Sequence, residues 1–418
     1  MRILMLSSTV PYPPGYGGTE VRTFYLAQGL SRHHAVTLVT QPTPLTLPGD
    51  LAMLRQQVTT LALFPRLDEA GWRGWLGRYG TALRQGAPLN VVYRYERSLH
   101  DWVNAQVMRR QFDIVTCEHG VNAIYVPPQP RGPHDWPIPT VLNAHSFATN
   151  TLREPSSSRE TWRDRLRRPL SRSLATRYER RFAQQFSRLV VTTAEDAAQG
   201  QALCHGVPVS VVANGVDLTQ FPRRTVDPGG RDLVFVGAMD ADHNQEAMRW
   251  FVATVWPLLR QRYRDMTLTI VGDRPTPSIL ALAQQPGIQV TGRVAAVVDW
   301  LQAATVCVLP LQTGFGIKNK TLEALAAGVP VVGSDRALEG LPVDGVHPCC
   351  ALRANTSDEF LEAIARLLDD ADLRHTLAKR GRSLIVQHYT WGQMVRAYSE
   401  ALQHTIAEFS PHNQTPRR

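Results

Sequence analysis

Short runs that are apolar on both faces recur along this chain, each ending at a glycine, a proline or a small polar residue. Such runs read as the buried strands of a parallel sheet. In the first half they fall at residues 3–8, 35–40, 113–118, 139–145 and 188–194; in the second half they fall at 232–238, 266–271, 288–291, 306–311 and 329–333. Helical spacing appears between them. Val21, Phe24, Tyr25, Ala27 and Leu30 follow Thr19, which is placed as an N-cap. Further helices are predicted over 244–263, 277–284 and 295–303. A last one over 392–406 carries Met394, Val395, Tyr398, Leu402 and Ile406 on one face. Strands alternating with helices predict an α/β protein with doubly wound sheets.

The stretch 306–341 concentrates the candidate chemistry. A buried strand runs into Gly314 and Gly316, which let the backbone turn sharply and approach a ligand without a Cβ in the way. Leu322-Glu323-Ala324-Leu325-Ala326-Ala327 then forms a helix ended by Gly328, and Val329-Pro330-Val331-Val332 is the next strand. Lys318, Asn319 and Lys320 stand at the mouth of that helix, where unpaired N–H groups and the dipole favour an anion. Glu323 lies about one turn inside, placed to accept hydrogen bonds from sugar hydroxyls. An ordinary βαβ unit with a solvated lysine pair accounts for the same residues.

The segment G-F-G-I-K-N-K-T-L-E-A-L-A-A-G-V-P-V-V resembles the donor-binding segment of family 4 glycosyltransferases, and most closely a bacterial exopolysaccharide branch of that family. The resemblance implies a GT-B fold: two Rossmann-like domains facing each other across a cleft, with a C-terminal helix crossing back to the first. It implies an acceptor domain over 1–217, a nucleotide-sugar domain over 222–387, the returning helix over 388–409 and a disordered tail over 410–418. V-A-N-G-V-D at 212–217 matches the family's crossing between domains. The turn-rich run 226–230 reads as linker.

Residue by residue, the resemblance implies that Glu323 binds the ribose and that Gly316, Ile317, Lys318 and Asn319 face the diphosphate. Gly17 and Gly18 would lie against the donor's phosphates and sugar, and Gly237 beside the donor. Arg293, in V-T-G-R-V, would stack on the base or pair with phosphate, or stay a surface arginine. His145 ends P-T-V-L-N-A-H at the place of the family's active-site histidine near the reacting carbon; His119 would shape the acceptor side. A histidine at a strand end is also commonly a hydrogen-bonded structural residue. The match departs from the family at Ala238 and Asn244, where many relatives carry Arg and Lys, and at Phe315, where the family's first Glu is missing. Lys318 is expected to be the main diphosphate ligand, and Lys320 a solvated neighbour.

Composition narrows the class. With 418 residues, 43% hydrophobic and 19% charged, the chain is long enough for two domains. No run approaches the ~18 apolar residues of a membrane span. The five cysteines (117, 204, 307, 349 and 350) are scattered without metal-ligand spacing, which predicts free thiols and a cytoplasmic location.

The net charge of +9 favours an anionic partner. Most of it lies in 153–188, with eleven arginines against four acidic residues. Leu170, Leu174, Tyr178, Phe182 and Phe186 step along that stretch as an apolar face. The arginines would be solvated or salt-bridged on a surface helix, or would rest the chain on the inner face of an anionic membrane.

These readings combine into a retaining glycosyltransferase needing no metal or other cofactor. It would move sugar from a nucleotide diphosphate-sugar to a glycan or lipid-linked acceptor in surface polysaccharide synthesis. Asp240-Ala241-Asp242 spells a metal motif but lacks its loop context. A GT-B phosphorylase or a sugar-nucleotide epimerase is the enzymatic alternative. A basic membrane or nucleic-acid binder is the other; nucleic acid is not the expected partner, because that reading leaves two nucleotide-type domains unexplained.

Overall fold

The computed structural model describes residues 1–14, 17–65, 89–127, 136–145, 176–204, 206–343 and 350–409. The expectations for residues 153–175, including Leu170 and Leu174, and for the tail 410–418 lie outside the described residues. The chain divides into two units, Met1–Ala213 with Met394–Arg418, and Asn214–Gln393.

Unit 1 is built on β1 (Arg2–Ser7), β2 (Ala35–Thr40), β3 (Thr60–Leu63), β4 (Ile114–Glu118), β5 (Thr140–Asn143), β6 (Arg188–Val191) and β7 (Val209–Val211). They form one seven-stranded sheet in the order β3-β2-β1-β4-β5-β6-β7. Every pairing is parallel, with Leu4 of β1 beside Thr37 on one side and Val115 on the other. Unit 2 holds β8 (Asp232–Val236), β9 (Thr267–Val271), β10 (Ile288–Gly292), β11 (Val306–Leu309), β12 (Val331–Gly333) and β13 (Ala351–Arg353). Its order is β10-β9-β8-β11-β12-β13, again parallel throughout. These are the two Rossmann-like sheets that the alternating pattern predicts.

Local chemistry moves several boundaries. The first helix, Gly18–Ser31, is entered from extended Gly17 with no side-chain cap, so Thr19 sits inside its first turn rather than at the N-cap. The helix expected over 244–263 is two helices, Asp242–Thr254 and Trp256–Arg262. Pro257 has no N–H to donate and is tolerated only in the first turn of the second. The turn at 226–230 is fastened inside unit 2, with Asp227 accepting from Arg224 at 3.3 Å and from Arg374 at 2.7 Å.

The last helix, Trp391–Glu408, belongs from Met394 onward to unit 1. It buries Met394, Tyr398 and Leu402, the face read from its spacing. Arg188 fastens its end, donating to Thr405 Oγ1 at 2.8 Å and to Glu408 Oε2 at 2.7 Å. This arginine of the basic stretch is turned inward, whereas Arg177, Arg180 and Arg181 are exposed. Tyr178, Phe182 and Phe186 pack into or against the core.

The helix Gly18–Ser31 approaches the last helix so closely that a Cβ on Gly29 would stand 2.3 Å from Val395 Cγ2. Gly29→Ala would gain ~0.5–1 kcal/mol of helix propensity but incur ~1–3 kcal/mol of overpacking against a stiff β-branched neighbour. The clash wins, so Gly29→Ala is expected to lower stability by about 1 kcal/mol in urea unfolding. In a Val395→Ala background the same change should become neutral or stabilising; a penalty that persists there would show that the close contact is not its cause.

Candidate functional site

In an open parallel sheet, ligands bind outside the carboxyl ends of the strands, where the order of connection reverses. In unit 2 that point lies between β8 and β11, the neighbours from which the sheet grows outward in opposite directions. The sequence places its glycine loop and helix mouth there.

After β11 the chain turns through Gly314 (φ 96°) and Gly316 (φ 75°), a left-handed backbone that glycine adopts without strain. The helix Asn319–Ala327 then begins at Lys318, with no side chain capping its N-terminus. Its other end closes at Gly328 (φ 75°), where the Gly328 N–H donates to Leu325 O and the Val329 N–H to Ala324 O. Ile317 is buried and anchors the loop. Asn319 Oδ1 accepts from Asn214 Nδ2 at 2.9 Å, linking the helix mouth to the Asn-Gly turn.

The two lysines do not behave as expected. Lys318 bends back over its own loop, donating to Gly314 O at 3.2 Å and to Gly316 O, with Glu339 3.5 Å away. Lys320, expected as a solvated neighbour, turns inward: its ammonium donates to Asn244 Oδ1 and lies 4.7 Å from the centre of the Phe235 ring. The reason is space. Gly237 has no side chain, and a Cβ there would meet Lys320 Nζ at 2.7 Å and Asn244 Nδ2 at 2.8 Å. Asn244 is oriented by its own bond from Nδ2 to Ala238 O at 2.8 Å.

Burial sets the electrostatics. It lowers the Lys320 pKa to about 7, with Lys318 adding to the effect and Glu323 opposing it. It raises Glu323 to about 7, against the pull of Lys320. His243 falls to about 4 through burial and the two lysines. Among the described residues the Glu323 carboxylate has no hydrogen-bond partner.

The site is therefore a half-buried group of basic side chains with one acid, Glu323, that has no hydrogen-bond partner among the described residues. Phe315, at the position of the missing family Glu, lies under the Arg336 guanidinium at 4.4 Å.

Arg293 stands apart from this cluster, at the end of β10. Its side chain is 60% exposed and pairs with Asp273 at 2.6 Å. Asp273 also pairs with Arg274, which holds Asp240. Asp240 of the Asp-Ala-Asp spelling is thus already an arginine's partner. No group of three metal-ligating side chains occurs among the described residues.

In unit 1 the corresponding point lies between β1 and β4. Gly17 and Gly18 open the first helix there, Gly18 facing open space. His119 follows β4 with φ 76°, and its N–H donates to Asn143 O at 2.9 Å. His145 follows β5, its ring 5.8 Å from that of His119.

Beneath them runs a buried polar chain that the sequence reading did not identify. Arg22, 0% exposed, donates from Nε and Nη2 to Asn143 Oδ1 at 3.0 and 2.9 Å and from Nη1 to Ala213 O at 2.8 Å. Asn143 Nδ2 donates to Glu118 Oε2 at 2.6 Å, and the Tyr398 hydroxyl donates to Glu118 Oε1 at 3.0 Å. His145 Nε2 lies 3.9 Å from Glu118 Oε2, too long for a hydrogen bond, and this buried nitrogen has no partner among the described residues. Burial and Arg22 lower the His145 pKa against the opposing effect of Glu118. Burial, with His145 and Arg94, lowers His119 to about 3. Both rings are thus neutral at pH 7. The signal for this chain was available: a Glu ending the apolar strand I-V-T-C-E must find a partner when buried.

Comparison with known proteins follows the same division. Residues 16–220 match the model of Glycosyltransferase Family 4, and residues 230–370 that of Glycosyl transferases group 1. A search of curated proteins finds no match. Among solved structures, Anabaena Alr3699/HepE in complex with UDP-glucose is similar at 16% identity and TM-score 0.64, over 97% of this chain and 100% of that one. Sucrose-phosphate synthase from Thermosynechococcus elongatus is similar at 16% identity and TM-score 0.70, over 98% and 100%. A mutant form of S. aureus TarM is similar at 9% identity and TM-score 0.67, over 96% and 100%. The chain is accordingly a glycosyltransferase-type protein of the GT-B fold, a Glycosyltransferase Family 4 domain followed by a Glycosyl transferases group 1 domain.

Proposed function

We propose that this chain is a retaining glycosyltransferase that uses no metal or other cofactor. It moves a sugar from a nucleotide diphosphate-sugar to a glycan or lipid-linked acceptor in surface polysaccharide synthesis, on the cytoplasmic side of the membrane. The observation that carries the reading is Glu323: a half-buried carboxylate without a described hydrogen-bond partner, one turn inside a helix with no side-chain cap at the switch point of its sheet. A ribose supplies the hydroxyl donors that such a carboxylate lacks. The helix mouth at Lys318 and Asn319 and the turn at Gly316 and Ile317 offer N–H groups and positive charge to a diphosphate. Gly237 keeps the floor of this site open. The solved structure of HepE with UDP-glucose supports a nucleotide-sugar as the donor.

In this reading the bond between the sugar carbon and the diphosphate oxygen breaks as the acceptor oxygen bonds to the same face of that carbon. The acceptor proton passes to the leaving diphosphate. Prearranged cations and N–H groups stabilise the charge that develops there. His145 orients the sugar, and His119, its ring 5.8 Å away, shapes the acceptor side. Gly17 and Gly18 are assigned to the donor's phosphates and sugar, and Arg293 to the base. Arg177, Arg180 and Arg181, exposed on their helix, are assigned to an anionic membrane surface.

Hydrolysis of a panel of uridine and guanosine diphosphate-sugars, with the anomer of any product determined by NMR, tests the reading; inversion at the sugar carbon would overturn its retaining part. Glu323→Gln should weaken nucleotide-sugar binding by about 10- to 100-fold in calorimetry, corresponding to a lost charged hydrogen bond of ~1.5–3 kcal/mol. Lys318→Ala should weaken it too, and unchanged affinity and turnover would remove Lys318 from the site. His145→Ala should lower kcat by ~10²-fold or more with little change in donor affinity; full activity in that variant would make His145 structural.

A further inference from the structure

The Lys320 side-chain nitrogen is turned into the protein against a neutral partner. It donates to the side-chain oxygen of Asn244 and faces the ring of Phe235. Among the described residues no carboxylate forms an ion pair with it. Its surroundings can be followed element by element. From the β8 side come Asn244 and His243, the latter beside Gly314, where a Cβ would lie 3.9 Å from the His243 ring. From β11 comes the Cys307 thiol, whose pKa burial raises. From the glycine loop comes Lys318, whose charge is met by Glu339 at 3.5 Å. From its own helix comes Glu323, the anion that acts on it. Glu246, nearby on the β8 side, is engaged with Thr313 at 3.0 Å.

Glu339 is shared between Lys318 and Arg336, the latter 3.8 Å away, so Lys318, Arg336 and Lys320 stand against Glu339 and Glu323. His243, lowered to about 4, adds no charge near neutral pH. A half-buried group that can hold more positive than negative charge has two stable states: it gives up a proton, or it receives an anion. The loops that enclose it, after β8 and β11, are those at which the proposed donor's diphosphate would arrive.

We propose that Lys320 is a proton-coupled ligand of the donor diphosphate, neutral in the empty site and taking up a proton as the anion binds. This rests on the donor reading above and deepens it. The direction of the pH effect follows. The diphosphate binds the ammonium form, so affinity is full where Lys320 is already charged and falls as pH rises through the range in which the empty site loses its proton. Glu323 titrates with the opposite effect, because its carboxylate forms as pH rises. At about pH 8 that carboxylate is already mostly formed, so proton uptake there reports on Lys320.

The test is calorimetry of UDP-glucose and GDP-mannose with the whole chain, at about pH 8, in two buffers of different ionisation enthalpy. Their diphosphate diesters do not titrate in this range. For whichever of the two binds, uptake approaching one proton per nucleotide-sugar is expected, with affinity falling by up to about tenfold per pH unit above 7. Lys320→Met should bind at least ~10-fold more weakly and without uptake. Lys320→Arg should also bind without uptake, its guanidinium being charged throughout, and should retain more of the affinity than Lys320→Met. Uptake that persists in Glu323→Gln would support Lys320 as its source. Binding by the unaltered chain without proton uptake would overturn the inference while leaving the donor reading intact, and that measurement needs no variant to fold. Failure of both sugars and of inorganic pyrophosphate to bind would overturn both.

Discussion

Two adjacent parallel strands whose connections leave in opposite directions expose their carboxyl ends between them, and both units of this protein are organised by that gap. By that topology no crossover between the described strands runs over it. The loops that follow the two strands must therefore fill it or hold a ligand. In unit 2 the loops after β8 and β11 answer with glycines at 237, 314 and 316, which keep side chains out of the way and leave space that Lys320 enters. In unit 1 the loops after β1 and β4 answer with Gly17, Gly18 and His119, and the neighbouring β5 adds His145.

Much of this was legible because a buried parallel strand announces itself: it is apolar on both faces and ends at turn chemistry. All the central strands could be read that way. The three that could not, β3, β7 and β13, are edge strands of three or four residues. Edges are buried less evenly and need no continuous apolar run. T-L-A-L, V-S-V and A-L-R carry too little pattern to stand out from a loop.

The chemistry was legible in its residue types but not in its directions. The helix mouth, Glu323 and both strand-end histidines could be named from the sequence, yet which lysine faces inward could not. Lys318 and Lys320 are two positions apart, so they point to different sides of the helix start. The glycine that makes room for Lys320, Gly237, comes far earlier in the chain, in the loop after β8. Tyr398 shows the same limit. Its spacing reads as an apolar contact of the last helix, whereas its hydroxyl reaches a buried carboxylate on β4. Periodicity reports which face is buried, and it says nothing of a polar atom carried within that face.

The two units also show what separates a structural buried charge from one available for function. In unit 1, Arg22 and Glu118 are fully buried but joined through Asn143, and Tyr398 occupies the remaining carboxylate oxygen. A network satisfied in this way specifies one arrangement of strands and helices. In unit 2, Lys320 has an amide and a ring where a carboxylate would be expected, and Glu323 has no described partner. The two lie three positions apart on one helix, with no ion pair formed among the described residues. Leaving a buried group unsatisfied costs about 1–3 kcal/mol, more when it is charged. Glu323, half-buried and without a described hydrogen-bond partner, bears part of such a cost, and a ligand carrying hydroxyl donors would relieve it. The same physics therefore makes Arg22 and Glu118 a structural pair in unit 1 and leaves Glu323 open to a ligand in unit 2.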